Sequence, residues 1–432
     1  MDPVTIGIIS LVLFFVLVVL GMPIGFTFAT IGFLGFALVR NLGGALNLLA
    51  VVPYTWGSTY TMIVIPLFVL MGQFAFHSGI SGELYSAGYK WVGRQPGGLA
   101  LATNIACTGF AACTGSSLAS AATMGVIAVP EMKKFNYDPR LATGCVAAGG
   151  TLGILIPPSV IFIIYGILTG TSIGKLFIAG IVPGILLSLL FSVLIYVMCW
   201  RNPKLGPRGP AFPLKEKVAS LRGVAGMLFL FVLVIGGLYA GIFTPTEASA
   251  SGAFGAFMIL LLRRRLNRYV LISSLKDTVQ TTAMIMMIVV GAQIFNGFLA
   301  LSGVPTMVAR GMGGLSISPQ AILSIILFIY IPLGMIMDAL PMILLTLPTI
   351  FPIVVNLGFD PVYFGVLLCI MCNLANITPP MGMNLYIIKG VARDVPLEQI
   401  IMGALPFMII MLLCVAILIL FPQISLFLPS LM

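Results

Sequence analysis

Gly149-Gly150-Thr151-Leu152-Gly153-Ile154-Leu155-Ile156-Pro157-Pro158-Ser159 lies in the middle of a long apolar segment and interrupts it with two consecutive prolines. A second apolar segment is interrupted in the same way at Asn376-Ile377-Thr378-Pro379-Pro380. Proline removes a backbone donor and clashes with the preceding turn, which costs a helix interior about 3 kcal/mol or more. The two proline pairs therefore predict two helices that are broken near their centres.

The two interruptions belong to a repeat with an offset of 222 positions. The matching pairs are Pro130 and Pro352, Asp138-Pro139 and Asp360-Pro361, and Pro157-Pro158 and Pro379-Pro380. Apolar segments that are interrupted at corresponding places in two halves of a chain are typical of the binding site of a membrane transporter. The repeat therefore predicts that this protein moves a small solute across a membrane.

The composition indicates an all-α polytopic membrane protein that is embedded in a lipid bilayer. Hydrophobic residues make up 60% of the 432 residues and charged residues only 7%, whereas about a quarter of a soluble domain is charged. Apolar runs such as 176–200, 224–242 and 400–420 reach the roughly 20 residues that a membrane span needs. A water-soluble globular fold is excluded.

The net charge of +10 is concentrated in five short clusters, which hold 18 of the 21 lysines and arginines. The clusters are Lys90/Arg94, Lys133/Lys134/Arg140, Arg201 to Arg222, Arg263 to Lys276, and Lys389/Arg393. Membrane spans can be drawn so that all five lie on one side, and basic loops mark the cytoplasmic face. The charge thus predicts a multi-pass protein of a bacterial or archaeal cytoplasmic membrane with a periplasmic N-terminus, and no nucleic-acid partner.

Two further segments are predicted to enter the membrane and return to the same face. Leu99–Pro130 lies between two basic clusters and is expected to turn at 114–117, and the segment 319–356 is expected to turn at 334–341. Non-helical backbone at such depth is tolerated only where it is buried in protein or lines a wet cavity. The first hairpin enters from the inside and the second from the outside, which predicts inverted repeats.

These assignments divide the chain into a scaffold and a transport domain. The predicted segments are scaffold helices at 1–80, an interfacial arm at 81–96, the first hairpin and broken helix at 97–170, scaffold helices at 171–275, a scaffold helix (crossing at 278–302) with a second arm at 276–318, the second hairpin and broken helix at 319–390, and a C-terminal helix at 391–432.

The chemistry of these elements predicts a site for a cation and an anion together. A broken helix leaves carbonyl oxygens that suit Na⁺, and the N-terminus of its second half suits a carboxylate or sulfonate. Thr114, Ser116 and Ser117 lie at the first hairpin tip, and Gly334 and Asp338 at the second. Asp338 is expected to bind a cation or a substrate hydroxyl, with helix capping as the alternative; turn capping is also the alternative for Ser116 and Ser117. No enzyme signature is present.

Several motifs closely resemble the large membrane subunit of tripartite ATP-independent periplasmic (TRAP) transporters. They are Gly149 to Ser159, Thr244-Pro245-Thr246-Glu247-Ala248, the tip Thr114-Gly115-Ser116-Ser117, and Thr378-Pro379-Pro380-Met381-Gly382-Met383-Asn384-Leu385. The resemblance spans nearly the whole chain. It implies Na⁺-coupled import of a small organic anion by an elevator movement. It also implies two partners: a small four-helix membrane subunit, expected as a separate chain, and a periplasmic substrate-binding protein.

The resemblance also implies two sodium sites and a substrate site. The first sodium site would comprise Thr114, Ser116, Ser117, Gly153 and Ile156; the second Gly334, Met337, Asp338, Asn376 and Thr378; and the substrate site Ser116, Ser117, Pro158, Ser159, Asp338, Thr378 and Asn384. Two other functions stay open at this point. One is a stand-alone Na⁺/carboxylate symporter of similar architecture, and the other is an integral-membrane enzyme.

Overall fold

The computed structural model describes residues 2–313 and 317–432, so Met1 and residues 314–316 of the predicted second arm lie outside the described residues. Within those ranges the regular structure is helical throughout and contains no strand. In this described part of the chain, eight helices are long and apolar enough to cross a membrane. The prediction of an all-α polytopic membrane protein is therefore confirmed.

The helices fall into two sets of seven with further helices before, between and after them. Three precede the first set: α1 (Pro3–Val19), α2 (Ile24–Val39) and α3 (Leu42–Gly57). The first set is α4 (Val64–Ser78), α5 (Ile80–Val92), α6 (Gly98–Thr114), α7 (Ser117–Lys134), α8 (Pro139–Leu155), α9 (Val160–Thr169) and α10 (Ile173–Arg201). Between the sets lie α11 (Leu214–Phe231), α12 (Gly237–Tyr239) and α13 (Pro245–Leu262).

The second set repeats the order of the first and, apart from its much longer first helix, has similar lengths. It consists of α14 (Arg268–Ser302), α15 (Val304–Gly313), α16 (Pro319–Gly334), α17 (Ala339–Asn356), α18 (Pro361–Ala375), α19 (Met383–Val391) and α20 (Leu397–Leu420), and the short α21 (Gln423–Leu426) follows. The bounds of α7, moved by 222 positions, coincide with those of α17. The sequence repeat is thus a repeat of helices; its inverted orientation in a membrane stays a prediction.

Both hairpins and both broken helices occur where the sequence predicts them. The hairpin of α6 and α7 turns at Gly115 and Ser116, and that of α16 and α17 turns at 335–338. The first broken helix (α8 and α9) is interrupted at 156–159, and the second (α18 and α19) at 376–382. The peptide bonds Pro157–Pro158 and Pro379–Pro380 are both cis.

Asp-Pro pairs start the broken helix of each repeat in the same way. Asp138 accepts a hydrogen bond from the Arg140 N–H, and Asp360 accepts from the N–H groups of Val362 and Tyr363. The proline that follows each aspartate occupies the first helical position, where its missing donor costs nothing. The repeated pair is therefore a helix-start signal.

One predicted boundary is wrong. The crossing predicted at 278–302 begins ten residues earlier, at Arg268, and forms a helix of 35 residues. The cause is Asn267, whose side chain accepts a hydrogen bond from the Val270 N–H and caps the helix there. Part of the fourth basic cluster consequently lies on the first turns of α14.

Segments from all five basic clusters contact neighbouring loops at one end of the helices. Lys133 pairs with Asp394 beside the last cluster, Arg263 pairs with Glu83 at 2.7 Å, and the loop after Arg201 bonds to Gly97. The hydrogen bond from Lys133 holds the pKa of the Asp394 carboxyl below its usual value. These contacts support a common face for the clusters, while the orientation of that face stays a prediction.

The helices outside the hairpins pack at very short range because glycines line their contacts. A Cβ on Gly32 of α2 would come within 2.6 Å of the Phe295 backbone of α14. One on Gly291 of α14 would collide with the carbonyl of Gly25. Such close backbone approach stabilises helix pairs in lipid, where the hydrophobic effect does not drive association.

We expect Gly291→Ala to separate α2 from α14 and to destabilise the fold by about 1–3 kcal/mol, as for other overpacked interiors. The measurement is the thermal midpoint of the purified protein in detergent. Gly82→Ala in α5 is the matched control, because nothing lies within 4 Å of the added Cβ. Equal midpoints for the two variants would show that the α2–α14 contact is not tight.

Candidate functional site

The first hairpin tip is a two-residue turn held by its own side chains. Gly115 adopts a left-handed conformation with φ of 61°, which glycine accepts without strain. Ser116 caps α7 by accepting a hydrogen bond from the Ala119 N–H at 3.3 Å. The Thr114 hydroxyl lies 2.8 Å from that of Ser120. The capping alternative for Ser116 is thus confirmed, and its backbone carbonyl faces the first broken helix.

This tip packs directly on the break between α8 and α9. A Cβ on Gly115 would come within 2.7 Å of the Pro158 carbonyl oxygen, and one on Gly153 within 2.5 Å of the Ser116 carbonyl oxygen. The Val160 N–H donates to the Gly115 carbonyl. Glycine at both positions therefore lets two pieces of backbone approach one another.

The prolines of the first break leave two carbonyl groups without helical donors. One of them accepts other hydrogen bonds and the other does not. Pro157 and Pro158 cannot donate to Gly153 and Ile154, which lie four residues earlier. The Ile154 carbonyl accepts instead from the Ser159 hydroxyl at 2.5 Å and from the Cys369 thiol at 3.0 Å. In residues 2–313 and 317–432, no recorded hydrogen bond reaches the Gly153 carbonyl.

The second tip lies against the second broken helix. A Cβ on Gly334 would collide with Ala375, so only glycine fits there. Asp338 occupies the N-cap position of α17 yet makes no capping hydrogen bond. The capping alternative for Asp338 is therefore not supported, and the residue is half-buried at the tip.

The second break satisfies its freed carbonyls with backbone donors. Ala375 accepts from the Thr378 N–H at 3.1 Å, and Asn376 accepts from the Asn384 N–H at 3.0 Å. The Thr378 hydroxyl donates to the Leu374 carbonyl at 2.7 Å. The side-chain oxygen of Asn376 is buried and has no hydrogen-bond partner among the described residues.

One side-chain contact joins the first hairpin to the second broken helix. Asn384 at the start of α19 donates to the Ser117 hydroxyl at 2.8 Å and to the Ala147 carbonyl of α8 at 3.0 Å. Asn384 is fully buried. Ser117 and Asn384, both predicted as substrate residues, are thus brought into direct hydrogen-bond contact.

The two tips open into one cavity of about 710 Å³. Its walls come from both hairpin tips, α7, the two broken helices, α4 and α14. The first residues of α7, α9 and α17 all line it, so three helix N-termini, which carry partial positive charge, meet at one space. Asp338 is the one ionisable side chain among the lining residues of the described chain. The volume lies in the range of small-molecule sites.

The predicted site residues form an inner and an outer layer around this cavity. Those that line it are Thr114, Ser116, Ser117, Asp338 and Asn376. Those that lie outside the lining are Gly153, Ile156, Pro158, Ser159, Gly334, Met337, Thr378 and Asn384. Among the outer residues, Asn384 hydrogen-bonds to Ser117 and Asn376, and Gly153 packs against the Ser116 carbonyl.

Four polar residues in or near the cavity are not among the site residues predicted from the sequence. Gln73 on α4, Thr123 on α7 and Thr281 on α14 line the cavity. Asn373, one turn before Asn376 in α18, is fully buried, and neither its Oδ1 nor its Nδ2 has a partner in the described ranges. A polar residue inside an apolar span is the signal that could have identified each of them.

Comparison with known families and proteins agrees with this architecture. Residues 11–424 match the family described as "Tripartite ATP-independent periplasmic transporter, DctM component". The chain is 37% identical to the C4-dicarboxylate TRAP transporter large permease protein DctM of Pseudomonas aeruginosa, covering 90% of this chain and 93% of that protein. It is 33% identical to the sialic acid large permease SiaM of Vibrio cholerae, covering 95% of each chain.

Another relative is longer than this chain. The isethionate TRAP transporter permease protein DctMQ of Oleidesulfovibrio alaskensis is 34% identical over 98% of this chain, but the match covers only 66% of that protein.

Two solved transporter structures share the fold at low sequence identity. The YdaH transporter of Alcanivorax borkumensis superposes with a TM-score of 0.62 at 16% identity, covering 88% of both chains. MtrF of Neisseria gonorrhoeae superposes with a TM-score of 0.61 at 14% identity, covering 98% of this chain and 95% of the other.

The helix repeat, the cavity at its two hairpin tips and these matches lead to one assignment. The chain belongs to the DctM component family of tripartite ATP-independent periplasmic transporters, the large permease subunits of membrane transporters, which are not enzymes.

Proposed function

We propose that this chain imports a small carboxylate or sulfonate by Na⁺-coupled secondary transport. The observation that carries the proposal is the cavity of about 710 Å³ where both hairpin tips and three helix N-termini meet. Backbone N–H groups at helix N-termini bind anions without any basic side chain. Relatives named for C4-dicarboxylate, sialic acid and isethionate support a small organic anion as the substrate class.

The first sodium site would lie between the first tip and the first break. The Thr114, Ser116 and Ser117 hydroxyls are engaged by protein partners, so main-chain oxygens are the better ligands there. The Gly153 carbonyl has lost its helical donor, and the Cα side of the same residue packs against the Ser116 carbonyl. Free carbonyls of broken helices are the usual Na⁺ ligands in transporters of this kind.

The second sodium site would use side chains instead. The Asp338 carboxylate and the Asn376 Oδ1 both line the cavity. Asp338 makes no capping hydrogen bond to α17, and the Asn376 Oδ1 has no hydrogen-bond partner among the described residues. Hard oxygen ligands of this kind suit Na⁺ in preference to transition metals.

Charge balance couples the cation to the anion in this proposal. Without Na⁺ the negative charge of Asp338 opposes entry of a second negative charge, since repulsion is strong in a low-dielectric cavity. Na⁺ beside Asp338 cancels that repulsion, and the helix N-termini then attract the substrate. Ordered binding of this kind makes import depend on the sodium gradient.

The rest of the proposed mechanism follows the scaffold and transport units. The two hairpins and broken helices would move as an elevator past the remaining helices, whose glycine-lined contacts form the scaffold. A small four-helix membrane subunit would bind that scaffold, and a periplasmic substrate-binding protein would deliver the anion.

Uptake in proteoliposomes tests this function. The chain reconstituted with its small subunit should accumulate a labelled dicarboxylate, sialic acid or isethionate only with an inward Na⁺ gradient and the loaded binding protein. Robust uptake of free substrate by the chain alone would favour the stand-alone symporter. Equal uptake with and without the Na⁺ gradient would refute sodium coupling.

Asp338→Asn should raise the Na⁺ concentration for half-maximal uptake about tenfold or more, because the second site loses its charge while keeping its shape. A tenfold change corresponds to about 1.4 kcal/mol of lost cation binding. The control is Asp394→Asn, which removes an exposed acid that pairs with Lys133 outside the cavity. An unchanged Na⁺ dependence in Asp338→Asn would remove Asp338 from the site.

We also propose Asn373, one turn before Asn376 on α18 and without a side-chain hydrogen-bond partner among the described residues, as a ligand of the second sodium site. Asn373→Leu distinguishes this role from that of a buried polar group without a ligand. An unpartnered buried polar group costs about 1–3 kcal/mol, so leucine should stabilise the sodium-free protein if Asn373 has no ligand. We expect instead that Asn373→Leu loses most of the rise in thermal midpoint that Na⁺ produces in the wild type. The control is Thr151→Val at the matching position of α8, where the hydroxyl only bonds the Ala148 carbonyl of its own helix. A sodium response equal to that of the wild type would contradict a ligand role for Asn373.

A further inference from the structure

A second cavity lies between the long helix α14 and the second hairpin. It has a volume of about 440 Å³ and is lined by α3, the end of α9, α14 and α17. Gln293 and Asn296 of α14 form its polar wall, and Leu347, Pro348 and Pro352 of α17 face them. The cavity therefore lies between a predicted scaffold helix and an arm of the predicted transport unit.

The arm α17 carries two carbonyl groups that its own helix cannot satisfy in the usual way. Pro348 and Pro352 lie inside the helix, and proline has no N–H to donate to the carbonyl four residues before it. The carbonyls of Leu344 and Pro348 thus lose their helical donors. They lie one turn apart, about 6 Å along the axis.

The facing helix supplies two amide donors with nearly the same spacing. Asn296 Nδ2 donates to the Leu344 carbonyl at 3.4 Å. Gln293 Nε2 is buried and has no partner among the described residues. These two residues are three positions apart, about 4.5 Å along α14. The Asn296 amide therefore donates to α17, whereas the Gln293 amide lies beside the same helix without a bond to the described residues.

We propose that Gln293 and Asn296 are positioning residues that hold α17 at two alternative registers on α14. In the present register Asn296 binds the Leu344 carbonyl. After a slide of about 4.5 Å, close to one turn, Gln293 binds the Leu344 carbonyl in place of Asn296. This inference rests on the proposed elevator movement and adds the contact that defines its end positions.

Gln293 and Asn296 together are called the latch below. Its energetics are favourable in an apolar interface. A carbonyl without a donor is costly in a membrane protein, because no bulk water replaces the lost partner. A donor at each end of the slide avoids that cost in both end states, and the length of the present bond makes it easy to exchange. The latch would therefore bias the end states without locking either one.

Cysteine labelling measures the two end states without requiring transport. The reporter is Val126→Cys on α7, which lines the main cavity and is 63% exposed, whereas all seven native cysteines are buried. A membrane-impermeant maleimide is applied to the reconstituted protein. The Na⁺ and substrate concentrations are those that halve the labelling rate of the variant that carries only Val126→Cys, called the reporter alone.

The two latch residues should shift the labelling rate in opposite directions. Asn296→Leu removes the bond of the present register and should slow labelling about two- to fivefold, the range that one modest hydrogen bond supports. Gln293→Leu removes a donor used only after the slide and should speed labelling. Leu347→Met, which lines the same cavity and keeps its volume, should match the reporter alone.

The outcomes separate failure of the latch from failure of the proposed function. If labelling of the reporter never responds to Na⁺ and substrate, the elevator movement itself is wrong. If it responds but Asn296→Leu and Gln293→Leu shift it equally, in the same direction, or not at all, the latch is wrong. Full labelling after denaturation and a single size-exclusion peak show that each variant is folded and intact.

Discussion

Backbone carbonyls that lack a helical donor inside an apolar protein control the rest of this structure. Each internal proline creates one, and each must find another hydrogen bond or a cation because no water is available in bulk. The proline pairs of the two broken helices place such carbonyls at the hairpin tips. The glycines at 115, 153 and 334 then bring tips and breaks into direct backbone contact. The main cavity lies where the hairpin tips and the broken helices meet, because their ends approach one another without filling the space between them.

The two repeats solve the same problem with different chemistry. In the first break the Ile154 carbonyl accepts from Ser159 and Cys369, and the Gly153 carbonyl has no hydrogen bond from the described part of the chain. In the second break backbone N–H groups satisfy both freed carbonyls, and the oxygen without a partner in the described part is the Asn376 Oδ1, beside the cavity that Asp338 also lines. In the proposed function, the duplicated fold would bind one cation through main-chain oxygens in one half and one through side-chain oxygens in the other. Of these two proposed sites only the second includes a charged ligand, Asp338, so we propose that it is the one that couples cation binding electrostatically to an anion.

The sequence predicts the breaks and tips well because proline, glycine and Asp-Pro pairs act locally. The start of α14 was misplaced because a single cap, Asn267, outweighs the charge of the residues that follow. Asn373, Gln73 and Thr281 were missed because their importance depends on which helix faces which, and that is decided by packing at a distance. For the same reason the sequence predicts Asn384 and Ser117 each as a site residue but does not predict their contact, because they are 267 positions apart in the chain.

The departures from the repeat are as informative as the repeat. Pro352 has its counterpart in Pro130, but Pro348 matches Val126, which keeps its backbone N–H. The arm α7 therefore continues its hydrogen bonds where it lines the main cavity, whereas α17 exposes an additional acceptor towards Gln293 and Asn296. Since the extra proline costs helix stability, its position facing two amides favours a role at the interface over one within the helix. The first hairpin also makes polar contacts with a neighbouring helix, through Asn104 and Thr108 of α6 and two serines of α10. The proline-freed carbonyls that face amide side chains belong to the second hairpin, which is why the proposed change of register is placed there.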